Sequence, residues 1–477
     1  RHVQKQCGEA RPGQEAEAES TPSIFGLALL NTEDGKPLQE SDFTADEDCG
    51  GCHERQLKEL NGTLHQLAHR DGLYRAAAEL ARKEAGELYY AYCSGCHSPQ
   101  GVTTRLIPGT PEEKLPEFAK AGILCDVCHQ VSMLTGETGP FGEPGNASFI
   151  LSPDQDRKFG APGGDDEAAE HEVVTEEFLG TSEFCASCHT VIHPVNALRI
   201  EHTYAEWRQS VYAEKGIQCQ DCHMRSVEQA TIVARTLKPI RVTGKSASDG
   251  EQREIAPHRF VGGNANADRV GGSKAHAAMA EARLRSAARI DIDAPRQAPA
   301  GAALKFSVTV HNVGAGHNLP TSLTELREMW VEVTVTAPTG RVLLRKGHPD
   351  NDGAIPEDAM RFGAVAGDAH HVAIGIPELR TQGGGNPRAE HAELQDAEVG
   401  ARPRGRQAPV APDRGVAPVG DVGRLTPEDL SHGVDRPESL LAQLLHHLAV
   451  DEGHPFPERL LSGRGLVSEL MVAIAGQ

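Results

Sequence analysis

Ten cysteines and five histidines of this chain form one repeated unit: two thiols separated by two residues, with an imidazole directly after the second. The units read CGGCH (Cys49, Cys52, His53), CSGCH (Cys93, Cys96, His97), CDVCH (Cys125, Cys128, His129), CASCH (Cys185, Cys188, His189) and CQDCH (Cys219, Cys222, His223). Two thiols at this spacing can add across the two vinyl groups of one porphyrin. The next residue then stands under the iron, where its imidazole is the proximal ligand. The pattern predicts five haem c groups held by these fifteen residues. Other uses of paired cysteines fit less well. A disulfide framework needs no histidine after each pair. A zinc site takes two pairs per metal, with no histidine required next to them. A thioredoxin-like motif occurs once, beside a βαβ pattern. Cys7 is left over in a polar leader and has no assigned role.

Five proximal histidines leave a sixth position on each iron. Methionine would raise the potential and histidine lower it. Only Met133 and Met224 of the six methionines lie near motifs, so histidine is expected. The distal candidates are His65 (TLHQLAHRD), His193 (VIHPVN), His202 (EHTYAEW), His258 (PHRFVGGN) and His317 (GAGHNLPT). His65 is expected on a helix, one turn before its competitor His69. His171 and His276 rank below these, and His348 and the histidines beyond it are background.

These residues need elements to hold them. Of 477 residues only 38% are apolar and 4% aromatic, with 50 Gly and 30 Pro. So thin a supply of core side chains implies much loop, or a core filled by porphyrin. Motifs recur about every 50 residues, too densely for a private domain each, so the haems must share one core. Helices are expected at Leu73–Tyr92, Tyr204–Lys215 and Ala275–Arg289. After Arg289 the alternating runs Ala303–His311 and Trp330–Thr336, with Arg341–Arg345, read as strands. The expected fold is therefore mainly α and loop-rich: a leader or linker (1–40), a pentahaem cytochrome domain (41–289) and a small β-sandwich-like domain (290–368). The tail (369–477) shows no strand pattern, one helix candidate at Ser439–Val450, and is read as disordered or out of frame.

The net charge of −21 gives no basic patch for nucleic acid. The apolar stretch Ile24–Leu30 is far short of the roughly 20 residues of a membrane span. The chain opens at Arg1 without a signal-peptide pattern and is read as a mature form or a fragment. Haem attachment by this motif takes place outside the cytoplasmic membrane, which predicts a periplasmic or extracellular prokaryotic protein.

From about Thr21 to Asp368 the chain resembles the multihaem c-type cytochromes of the group that includes hydroxylamine oxidoreductase and its tetrahaem electron acceptor. The resemblance rests on the five motifs, the T-x-H at Thr63–His65, the H-x-F-x-G-G-N at His258–Asn264 and GAGHNLPT at Gly314–Thr321. It implies distal-ligand roles for His65, His258 and His317, and some relatives form filaments. Two functions compete. One is an electron carrier in respiratory or extracellular electron transfer, working between redox proteins, a membrane quinol oxidase among them. The other is a haem oxidoreductase acting on small nitrogen or sulfur compounds at one open iron, with His69, His171 or Tyr204 as acid or base.

Overall fold

The computed structural model describes residues 25–363, apart from 136–141, 162–169, 195–196, 296–304, 325–326, 338 and 358. It also describes three strand segments at 392–393, 462–463 and 469–476. The motif-bearing part is built of short helices and two- or three-stranded sheets, as its composition implies. Each motif lies on a helix: Asp46–Cys52, Glu87–His97, Cys125–His129, Ser182–His189 and Cys219–His223. A helical turn puts both thiols on one side, with the histidine at or just past the last turn.

The expected helix Leu73–Tyr92 is two helices, Gly72–Ala85 and Glu87–His97. Gly86 separates them at φ +94°, a conformation that only glycine adopts without strain. Tyr204–Lys215 likewise divides into Thr203–Arg208 and Val211–Glu214, the second capped by the Ser210 side chain. The third helix runs Lys274–Ala287 and passes directly into a strand, Ala288–Asp293. His65 lies not on a helix but in the turns between Glu54–Leu60 and Gly72–Ala85.

The main core gathers Phe25, Leu30, Leu38, Tyr74, Val102, Ile107 and Leu151, with Cys93, Cys96 and Cys188 packed against it. Residues 25–40 thus belong to this core and not to a leader. Asn31–Thr32 even pairs with Phe149–Leu151, which in turn pairs with Val131–Leu134. Residues 1–24, with Cys7, lie outside the described residues.

Past the last helix, Ala288–Asp293 pairs with Ser307–Asn312, and Ala392–Glu393 adds to that strand. In a second sheet Met329–Thr336 pairs with Val342–Lys346, Met360–Phe362 and Glu469–Gly476, and Ser462–Gly463 pairs with the last of these. Val308 and Val310 of the first sheet and Val331, Val333 and Val335 of the second form one apolar cluster. Full burial of each such side chain is worth roughly 1.5–3 kcal/mol. The tail therefore supplies strands that its sequence did not announce. Within ELMVAIAG, Leu470–Ala475 is a continuous apolar run, which periodicity cannot assign to strand or helix. The helix candidate Ser439–Val450 lies outside the described residues.

Candidate metal centres

Hydrogen bonds fix the orientation of all five motif imidazoles. The Nδ1 of His53, His97, His129 and His223 donates to the backbone carbonyls of Ser246 (2.8 Å), Ala68 (2.8 Å), Phe159 (2.7 Å) and Val261 (2.8 Å). A carbonyl can only accept, so Nδ1 carries the proton and Nε2 keeps its lone pair. His189 differs: its Nδ1 faces the Glu201 carboxylate at 3.3 Å. Such outer contacts are what set ring angle and basicity in metal-bound histidine.

Four of the five rings face a second histidine. The centroid separations are 6.3 Å for His53 and His171, 6.0 Å for His189 and His65, 6.0 Å for His129 and His258, and 6.2 Å for His223 and His317. Two metal–nitrogen bonds of about 2 Å, plus ~1 Å from each ring centre to its nitrogen, add up to about 6 Å. The spacing is that of two imidazoles on one metal. On the facing side, Nδ1 of His258 donates to Ala256 (2.9 Å), that of His317 to Asn318 (2.9 Å) and that of His171 to Glu172 (3.3 Å). Burial pushes the pKa values of His65, His223 and His258 down to about 3, so these rings are neutral, as ligation requires.

His97 is arranged otherwise. Its neighbour is Tyr74, stacked at 3.8 Å with an interplanar angle of 9°, and no described histidine faces it at the 6 Å spacing. Beyond Tyr74, the buried His69 bonds Glu112 at 3.2 Å, and Tyr90 donates to the same carboxylate oxygen. The remaining candidates go elsewhere. His193 lies 6.0 Å from the Tyr89 ring, His202 sits 3.2 Å from Glu206, and His276 bonds Ser273.

The motifs themselves are drawn together. The Cys125 amide donates to Asp46 on the first motif's helix (2.8 Å), and the Cys219 amide donates to Ser182 on the fourth motif's helix (3.0 Å). Cys96 and Cys188 pack against one core cluster, to which Val131, just past the third motif, also belongs. The fourth motif thus adjoins the second, third and fifth, and the third adjoins the first.

The surroundings also fit a haem. Porphyrin propionates need cationic partners. Beside the fifth motif, Arg283 donates to the carbonyls of Cys222 and Arg225, while its Nε and the Nε and Nη1 of Arg225 are buried without a partner among the described residues. A buried guanidinium with free N–H groups calls for an anion. Sequence reasoning ranked His171 low and missed Tyr74 and Glu201. Nothing near His171 marked it, because it lies in the acidic stretch EAAEHEVVT.

These features define a multihaem c-type cytochrome, and its cofactor is haem c. Residues 48–130 match the family model of cytochrome c554 and c-prime, a span that takes in the first three motifs and ends just past His129. No curated protein sequence matches the chain significantly. Among solved structures there is a likeness to a penta-haem cytochrome c552 from Thermochromatium tepidum. The identity is 18% over 75% of this chain and 88% of that chain, with a TM-score of 0.47. No helix among the described residues is long and apolar enough to cross a membrane.

Proposed function

We propose that the chain binds five haems and carries electrons through them. The observation behind this is the repeated pair: four motif histidines each face a second histidine at 6.0–6.3 Å. His53, His97, His129, His189 and His223 are the proximal ligands, and His171, His258, His65 and His317 close the irons of His53, His129, His189 and His223. On ring geometry His171 takes the place that sequence gave to His193 or His202. Bound haem supplies one-electron iron chemistry. The protein's part is to hold each Nδ1 proton on a fixed acceptor, keep the rings in register and bring the motifs side by side. Contacts between motifs one and three, three and four, four and two, and four and five support a single connected set. In this reading the haem domain is residues 41–289 together with residues 25–40, which pack into the same core, and the β-sandwich-like part follows it.

The setting proposed is respiratory or extracellular electron transfer between redox proteins, a membrane quinol oxidase among the donors. The location is the periplasm or cell exterior, where this attachment chemistry occurs. The resemblance to the hydroxylamine oxidoreductase group supports this reading, and a homo-oligomer or filament is compatible with it. Haem quantification on purified protein should give five per chain. Ferric EPR should show four six-coordinate low-spin centres.

A second reading attaches to His97. No described histidine faces its ring at the 6 Å spacing, so this centre is the one at which a haem oxidoreductase acting on small nitrogen or sulfur compounds would have its open iron. A high-spin ferric EPR signal that shifts on adding nitrite or hydroxylamine supports it. Five low-spin signals, unaffected by either compound, sink it.

A further inference from the structure

Four motif histidines donate to neutral backbone carbonyls, and only His189 donates to a carboxylate. We propose that Glu201 is a positioning residue that lowers the reduction potential of the His189 haem relative to the same haem with a neutral acceptor. The inference rests on the reading of His189 and His65 as ligands to one iron.

Glu201 is placed for this role. It ends the strand Arg199–Glu201, which pairs with Val191–Ile192 just past the fourth motif. The strand fixes the carboxylate beside the ring, and the residue is 8% exposed. Its Oε1 lies 3.3 Å from Nδ1 of His189.

The physics is direct. Reduction adds one electron to the iron and removes one positive charge from the centre. A carboxylate accepting the Nδ1 proton makes Nε2 a stronger donor, and a buried negative charge favours the more positive ferric form. A carbonyl does neither to the same degree. The position matters because the fourth motif adjoins the second, third and fifth, so the haem affected is the junction of the set.

The test is a redox titration of the holoprotein, followed by visible spectroscopy and EPR, on three variants. His65→Met marks the step that belongs to the His189 haem by moving it upward. If it moves no step, the ligand reading fails, whatever Glu201 does. Glu201→Gln keeps an acceptor for Nδ1 and removes the charge. It should raise that same step by about tenfold in its reduction equilibrium, about 59 mV for one electron, and leave the others in place. An unmoved step, or movement only of a different one, overturns the proposal. Haem content is measured on each variant. Should Glu201→Gln lose a haem, Glu201→Asp retains the charge on a shorter arm. A smaller upward shift of the marked step then supports the proposal, and no shift overturns it.

Discussion

His129 and His258 face each other with ring centres 6.0 Å apart and planes inclined by 26°, although they lie 129 positions apart in the chain. Each ring is turned by its own carbonyl, Phe159 on one side and Ala256 on the other. As ligands to one iron, they make His258→Met an informative change. A thioether in place of imidazole raises the potential. One of the five redox steps should move upward with the haem count unchanged. A titration with all steps in their original places would show that this pair does not share an iron.

Two carboxylates tie the first motif to the third. Asp46 accepts the Cys125 amide at 2.8 Å, and Asp126 accepts the Thr44 amide at 2.6 Å. Asp126 is 1% exposed and sits 2.8 Å from the Lys158 ammonium. Removing one partner of such a pair leaves a buried charge, at a cost of about 3–5 kcal/mol. Asp126→Ala should lower thermal stability by that amount in a denaturation experiment. Adding Lys158→Met to it should recover part of the loss, because no uncompensated charge then remains.

Gly122 positions His65. It adopts φ +74°, and a Cβ there would come within 2.5 Å of the Gln66 carbonyl oxygen and 2.6 Å of that of His65. Its neighbour Ile123 donates to the His65 carbonyl at 2.9 Å. Gly122→Ala should cost about 1–3 kcal/mol in backbone strain alone. It should also change the EPR signal of one low-spin centre while leaving the others unaltered. Equal stability and an unchanged spectrum would mean that the turn does not hold the ring.

Met329–Thr336 is covered along its whole length by Glu469–Gly476 in antiparallel register. An uncovered strand edge is a template for association. Deleting residues 461–477 should make the protein aggregate faster on warming, as light scattering would report. Unchanged scattering would show that the tail strand adds nothing to this sheet.

The five CxxCH units were legible as a pattern because covalent haem attachment would fix both residue type and spacing. The strands at Ser307–Asn312 and Met329–Thr336 were legible for a similar reason, since alternation of apolar and polar residues is local. The facing histidines were only partly so. His65, His258 and His317 stand in loops with marked sequence, while His171 faces His53 from beside the short strand Glu172–Thr175. The partner of a ring is set by how distant segments pack, which spacing does not record. Glu201 was invisible for the same reason, because its role depends on one short strand pairing that turns its carboxylate to His189. The break at Gly86 was missed because a single glycine in an otherwise helical stretch is often tolerated.

The loop after Ser307–Asn312 carries His317 back over His223, and on the way Asn318 and Thr321 both donate to Glu206 on a helix of the motif region. The seam near residue 289 is therefore not a joint at which the two regions can be exchanged as modules. A recombinant that swapped the β part for another of equal fold but different loop would inherit the fifth motif without its facing ring. The fifth motif and the ring that faces it are thus supplied by the two regions together.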